Sequence, residues 1–201
     1  MSTRENFLPN AFYHIYNHAV GTENLFKSHE NYLFFLNKYD QHLSTVFKTL
    51  AYCLMPNHFH LLVQVRDEYT LRSLITKPED KIDFHKFIMQ KLSNFLNGYA
   101  KAFNKQHSRR GALFIDYTKR KEITNDSYFT RVVNYIHQNP IHHGFCKEAS
   151  EWEYSSFNSM ISTTKSTKLE RNTIFDWFGG IEQFVYFHQE NRYFDEEIDF
   201  F

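Results

Sequence analysis

The stretch that most constrains how this chain can fold runs from Met55 to Val65, Met-Pro-Asn-His-Phe-His-Leu-Leu-Val-Gln-Val, in which apolar and polar side chains alternate. Successive side chains of a β-strand point to opposite faces of the sheet. The alternation predicts a strand whose apolar residues enter a core: Phe59, Leu61, Val63 and Val65. His58 and His60 then share the other face, just after a turn indicated by Pro56-Asn57. A loop beside the start of a strand is a common place for a functional site.

Two imidazoles at this spacing can hold one divalent cation and leave positions open for the oxygens of a substrate. Short motifs also occur by chance, so a pair of exposed strand histidines without a function is an equally good interpretation of this motif alone.

The order of the predicted elements indicates the fold class. Apolar patterning predicts, in order, a strand, a helix, two strands, a short helix, a long helix and a strand, at residues 12–20, 28–45, 47–54, 55–65, 71–76, 84–103 and 112–123. Without the short helix this is the βαββαβ order of a ferredoxin-like fold, in which an antiparallel sheet carries both helices on one face. We therefore expect an α+β protein whose second sheet face, with the histidines, is open to a ligand.

A further helix is predicted at residues 125–139 and is expected to end there, because Pro140 disfavours helical geometry in the residue before it. Tyr135 and Asn139 lie four residues apart, so they are neighbours on one side of this helix, with Gln138 slightly to the side. A tyrosine near a bound divalent cation is a candidate nucleophile, and either amide oxygen is a candidate ligand. The alternative is that Tyr135 is a core aromatic and Asn139 is the C-cap of the helix.

At 201 residues the chain suits one principal domain, placed at residues 1–147, with an extension at 148–201 that packs on it. The formal net charge of zero hides an uneven distribution. Residues 101–121 contain seven basic residues and one acidic residue, whereas residues 148–201 contain eleven acidic and four basic ones. The acidic end of this segment, with Asp195, Glu196, Glu197 and Asp199, is interpreted either as a solubilising end or as a tethered competitor for the groove of the basic segment.

Cys53 and Cys146 form neither a disulfide framework nor a metal-binding spacing. No run of residues has the apolar length needed to cross a bilayer, and the N-terminal residues lack an apolar signal region. We expect a cytoplasmic protein without a membrane partner.

Five motifs occur in order over residues 10–160: Phe12-Tyr-His-Ile-Tyr-Asn-His, Met55-Pro-Asn-His-Phe-His-Leu-Leu-Val, Phe103-Asn-Lys-Gln-His-Ser-Arg-Arg-Gly, Tyr135-Ile-His-Gln-Asn-Pro and Trp152-Glu-Tyr-Ser-Ser-Phe. Together they resemble the single-tyrosine HUH transposases, and most closely the REP-associated tyrosine transposases. The resemblance is more specific than any one motif. The chain departs from the family at His18, where arginine is frequent, and at Asn139, where insertion-sequence members have glutamine.

The resemblance implies that the protein cleaves and rejoins single-stranded DNA, at hairpin-containing sequences, through a 5′-phosphotyrosine. Tyr135 is then the nucleophile, on the helix that follows the ferredoxin-like domain. The implied ligands of Mg²⁺ or Mn²⁺ are His58, His60 and Asn139, with Gln138 as the alternative to Asn139. The active protein is expected to be a monomer or a homodimer, so Tyr135 serves the histidines of its own chain or those of a partner.

Basic residues are expected to neutralise DNA phosphates, and ring-bearing residues of the first strand are expected to contact unpaired bases. The first set is Lys105, His107, Arg109, Arg110, Lys119, Arg120 and Lys121, and the second set is His14, Tyr16 and His18. The competing class is a ferredoxin-like module that binds single-stranded nucleic acid without cutting it.

Overall fold

A four-stranded antiparallel sheet forms the centre of the protein. The structure, a computed structural model, describes residues 5–76, 82–162 and 164–191. The strands are β1 (Phe12–His18), β2 (Phe47–Met55), β3 (His58–Val65) and β4 (Lys119–Ile123). Their spatial order is β2-β3-β1-β4, and every pair is antiparallel. The predicted βαββαβ arrangement and the α+β fold class are confirmed.

Two helices, α1 (His29–Leu43) and α3 (Phe84–Gln106), cover one face of the sheet. The ring of Phe35 on α1 lies 4.8 Å from that of Phe95 on α3 and 5.3 Å from that of Phe59 on β3, measured between centroids. The apolar alternates of β3 are buried in this core, as the alternation predicted. A short helix, α2 (Glu68–Ser73), begins three residues earlier than expected, because the Asp67 side chain caps it by accepting the Thr70 N–H.

The second face of the sheet is also covered, so the expectation of an open face is wrong. Helix α4 (Asp126–His142) packs on it and forms a second core with residues of β2 and β3. This core contains Leu62 of β3, which lies on the same side of the strand as the histidines, and Val132 of α4. This face of the sheet carries apolar side chains as well as the polar ones. Burial of the apolar side chains stabilises the packing of α4 against the sheet.

Helix α4 continues past the predicted end. Its N-cap is Asn125, whose side-chain oxygen accepts the Tyr128 N–H, and Pro140 lies inside the helix. The helix ends at His142, and Gly144 follows the C-cap with a φ of 73°. Gly144 donates its N–H to the Ile141 carbonyl, and Phe145 donates its N–H to the Pro140 carbonyl. This is a Schellman termination, for which glycine is favoured. The prediction that the helix ends at residue 139 is therefore wrong.

The C-terminal segment covers the free edge of β2. Leu54 donates its N–H to Tyr154, and residues 156 and 170 donate to Tyr52 and Thr49, each at 2.9 Å. Covering an edge strand removes the unpaired backbone groups that promote aggregation. Three further helices follow: α5 (Phe157–Ile161), α6 (Arg171–Phe178) and α7 (Ile181–Glu190). The sequence pattern at residues 175–188 predicts one short final helical element, whereas the structure has two helices there, α6 and α7.

Gly179 and Gly180 separate α6 from α7, with φ values of 80° and 123° that favour glycine.

Strand β4 is shorter than predicted, because residues 112–118 form only one isolated bridge with the sheet, from Phe114 to Ala19. The acidic end that was interpreted as a tethered competitor falls on residues 192–201, outside the described residues. None of the described helices has the length and apolar character needed to cross a membrane.

Candidate functional site

The two histidines of β3 lie between the sheet and α4. The ring centroids of His58 and His60 are 5.1 Å apart, with planes at 81°. Their side chains are buried, with exposed fractions of 3% and 0%. Burial lowers the pKa of His58 to about 4 and holds the pKa of His60 well below its usual value. Both imidazoles are therefore neutral near pH 7, which is the form that binds a metal ion.

A third histidine orients His60. His14 on β1 places its Nε2 at 3.0 Å from His60 Nδ1, and burial lowers the pKa of His14 to about 3. Two neutral rings share one proton across this contact. When His60 Nδ1 carries that proton and donates it, His60 Nε2 presents a lone pair, as a metal-binding histidine does.

His58 lies between two amide oxygens. Its Nδ1 is 2.8 Å from Asn57 Oδ1, and its Nε2 is 2.8 Å from Asn139 Oδ1. A neutral imidazole has one N–H, so in this orientation of the two amides it can donate to only one oxygen. Meanwhile the buried Asn139 Nδ2 has no hydrogen-bond partner among the described residues. Either the Asn139 amide is turned over, or a cation joins His58 Nε2 to Asn139 Oδ1.

The donor atoms fit a divalent cation. Two adjacent ligands of an octahedral Mg²⁺ ion, each about 2.1 Å from the metal, lie about 3 Å apart, close to the spacing of these two atoms. The imidazole and amide-oxygen chemistry also suits Mn²⁺. Within the described part of the chain, no group of three His, Cys, Asp or Glu side chains is arranged to hold a metal ion. The donor set at this place combines histidine nitrogens with the Asn139 amide oxygen.

Helix α4 brings Tyr135 to the histidines of its own chain. The Tyr135 ring centroid lies 5.3 Å from that of His60 and 6.1 Å from that of His14, in edge-on contacts. Asn139 lies one turn later on the same side of α4. The C-cap of α4 is His143, so the interpretation of Asn139 as the C-cap is wrong. Tyr135 is also part of the second core, with an exposed fraction of 5%.

Gln138 is directed away from the histidines. Its Nε2 donates to the His188 carbonyl on α7 at 2.8 Å. The helix therefore brings Asn139, and not its neighbour, to His58. The sequence interpretation missed Asn57, which precedes the pair directly, and His143, whose ring lies 5.1 Å from that of His58. His143 follows Asn139 by four residues, a spacing that brings both to one side of the helix only because α4 continues past residue 139.

The basic loop after α3 contains one structural arginine and one exposed arginine. Arg109 donates from Nε to Glu23 Oε2 at 2.7 Å and from its terminal nitrogens to Asn104 and Ala112. It thus ties the loop to the segment after β1. Arg110 and Lys105 are exposed.

The remaining ring and basic residues of the expected DNA surface divide between the two sides of the sheet. Arg120 is buried, donates to the Glu5 carbonyl at 2.5 Å and lies over the Phe7 ring on the side of α1 and α3. Lys119 and Lys121 point to the other side, 5.6 Å from the Tyr16 ring and 4.5 Å from the Tyr128 ring.

Four ring-bearing residues of the expected DNA surface also pack within the protein. His14 and Tyr16 are fully buried, so they do not present their rings to a ligand in this structure. His18 stacks on His58, with centroids 5.7 Å apart and planes at 9°, and His107 packs on Phe103 at 4.4 Å.

The sequence and the fold are each similar to a known protein. No protein-family model matches the chain. A Haemophilus influenzae protein described as a REP-associated tyrosine transposase is 28% identical over 115 residues, which cover 56% of this chain and 60% of that relative. The chain thus matches somewhat less than two thirds of the relative's length.

The fold is shared with a solved structure of a REP-associated tyrosine transposase bound to a REP hairpin. The TM-score is 0.58 at 16% identity, over 84% of this chain and 89% of the other. The resemblance to this family that the five motifs indicated is confirmed.

Proposed function

We propose that this protein is a metal-dependent transposase that cleaves and rejoins single-stranded DNA, at hairpin-containing sequences, with Tyr135 as the nucleophile. The observation that carries the proposal is the arrangement at α4, where Tyr135 contacts His60 while Asn139 contacts His58. One chain supplies all four side chains, so we propose that Tyr135 acts beside the histidines of its own chain. We also propose that the protein acts in the cytoplasm.

The chemistry balances without an added energy source. The Tyr135 phenol loses its proton and its oxygen forms a bond to phosphorus, while the bond from phosphorus to the 3′ oxygen breaks. The released oxygen takes up a proton and becomes a free 3′-OH, and the DNA 5′ phosphate stays on the tyrosine. Attack of a 3′-OH on this ester reverses the step and rejoins a strand.

His58, His60 and Asn139 would hold Mg²⁺ or Mn²⁺. The cation would place positive charge beside a non-bridging oxygen of the scissile phosphate. His14 orients His60, and Asn57 orients His58, through the contacts described above. Both are orienting partners of the kind that metal-binding histidines need. Because Tyr135 is 5% exposed, a phosphate reaches it only when neighbouring groups move.

Charged residues at the surface would hold the DNA backbone. Lys105 and Arg110 are exposed beside the loop after α3, and Lys119 and Lys121 lie on the sheet side that carries the histidines. The solved structure that shares this fold contains a transposase bound to a REP hairpin. This supports hairpin DNA as the substrate class for this chain.

The experiment uses one hairpin oligonucleotide with a single-stranded flank, labelled at either its 3′ or its 5′ end, and incubated with the protein and Mn²⁺. A denaturing gel then separates free DNA from protein-linked DNA. A 5′-phosphotyrosine predicts that the 3′ label moves with the protein, whereas the 5′ label appears on a shorter free strand. Binding without any adduct or shorter strand would support the non-catalytic binding module instead.

A further inference from the structure

A buried chain of hydrogen bonds joins the back of α4 to the C-terminal segment. His137 on α4 places Nδ1 at 2.9 Å from His188 Nε2 on α7 and Nε2 at 2.7 Å from Ser156 Oγ. His188 Nδ1 is 2.8 Å from the Phe184 carbonyl. The three side chains have exposed fractions of 0%, 3% and 0% for residues 137, 188 and 156.

One direction of donation satisfies every member of this chain. His188 Nδ1–H donates to the carbonyl of Phe184, so its Nε2 accepts from His137 Nδ1–H. His137 Nε2 then accepts from the hydroxyl of Ser156. A buried polar network in which every group is paired is rigid, whereas a network with one member missing leaves a costly unpaired group.

Two more hydrogen bonds tie the same side of α4 to the end of α7. Gln138 Nε2 donates to the His188 carbonyl at 2.8 Å, and Asn134 Nδ2 donates to the Asn191 carbonyl at 2.7 Å. Residues 134, 137 and 138 form one stripe of the helix, away from the side that carries Tyr135 and Asn139.

We infer that His188 is a positioning residue: through His137 it fixes the rotation and height of α4, and thereby holds Tyr135 and Asn139 against the histidines of β3. Apolar packing is non-directional and permits a helix to slide or turn. Hydrogen bonds have preferred distances and angles, so three of them along one stripe set a single register. The inference rests on the proposed function, and it makes α7 part of the catalytic unit.

The test compares His188→Leu, His188→Gln and the control Tyr186→Leu, which changes an exposed side chain of the same helix. Affinity for hairpin DNA, the rate of adduct formation at saturating protein and the melting temperature are measured for each. His188→Leu removes the acceptor for His137 and should slow adduct formation by about 10-fold to 100-fold, the effect of a misplaced reactive group, while the Kd for DNA changes less than about twofold.

Rescue separates positioning from general stability. The amide oxygen of His188→Gln can accept from His137, so its adduct rate should lie within about threefold of the parent. An unchanged rate in His188→Leu would overturn the inference, as would a His188→Gln variant that is as slow as His188→Leu. If His188→Leu does not fold, His188→Gln is compared with Ser156→Ala, which removes the hydroxyl donor to His137 together with the acceptor of the Tyr52 N–H and should slow adduct formation.

A second readout does not need the reaction. Without DNA, His188→Leu should speed amide hydrogen exchange in α4 and leave exchange in α3 unchanged. If the parent forms no adduct, the proposed function fails, and this measurement still decides the positioning role. Unchanged exchange in α4 would contradict it.

Discussion

The side chains of Asn139 and His58, which are 81 residues apart in the chain, meet at 2.8 Å between Oδ1 and Nε2. This contact joins α4 to the start of β3 and lies next to the one proline inside a described helix. Pro140 lacks an N–H and disfavours the helix before it, yet α4 continues, because the buried contacts of Asn139 and its neighbours hold the backbone in place.

We predict that His58→Ala abolishes adduct formation and weakens binding of Mn²⁺ at least tenfold, since it removes one of the proposed ligands. His60→Ala should do the same and should also lower the free energy of unfolding by about 1–3 kcal/mol, because it removes the buried hydrogen bond between His60 Nδ1 and His14 Nε2. Calorimetric titration with Mn²⁺ and urea denaturation measure the two effects. Normal Mn²⁺ affinity in both variants would show that the histidines are not ligands.

The two arginines of the basic loop should separate folding from DNA binding. Arg109→Ala removes the bond to Glu23 and the contacts within the loop, so it should lower the free energy of unfolding by about 1 kcal/mol. Arg110→Ala should leave stability unchanged and reduce the slope of log K against log salt by about one unit. An equal loss of salt slope in both variants would contradict this division.

Strand β4 offers a second matched pair. Lys121→Ala should weaken hairpin binding with little effect on folding, because Lys121 lies on the histidine side of the sheet. Arg120→Ala should destabilise the fold by about 1–3 kcal/mol, since it removes a buried donor to the Glu5 carbonyl. Filter binding and urea denaturation on both variants check the assignment, which a loss of binding in Arg120→Ala alone would refute.

Acid should destabilise the fold through His188. Burial lowers the pKa of His188 from 6.5 to about 4. Below pH 6.5 the unfolded chain therefore binds a proton that the folded chain does not, and the free energy of unfolding falls until the pH reaches about 4. Between about pH 7 and about pH 5.5 the parent should lose about 1 kcal/mol more than His188→Gln, as measured by urea denaturation. Equal losses would show that His188 does not titrate in this way.

The fold could be predicted from the sequence wherever one periodicity decided the structure. The alternation in β3 and the apolar stripe of α3 each indicated a single element and a single buried face. The cover over the second face could not be read in the same way, because its core combines residues from β2, β3 and α4 that are far apart in sequence. The separation of α6 from α7 could have been predicted from the sequence, because two adjacent glycines, Gly179 and Gly180, interrupt a helical pattern.

The motifs predicted which residues meet at the candidate site, since Tyr135 lies beside His60 and Asn139 beside His58. They did not predict the partners of the basic residues. Arg109 and Arg120 look like DNA-binding residues by charge alone. Their partners, Glu23 and Glu5, lie 86 and 115 residues away in the chain, so only the tertiary structure identifies them as structural.

The sharpest test of Tyr135 as the nucleophile compares Tyr135→Phe with the parent on the 3′-labelled and the 5′-labelled hairpin in Mn²⁺. The change removes only the hydroxyl, so the melting temperature and the Kd for hairpin DNA should stay close to those of the parent. If Tyr135 is the nucleophile, the protein-linked label and the shorter 5′-labelled strand both disappear in this variant. Cleavage at the parental rate by Tyr135→Phe, with the label still linked to protein, would contradict it.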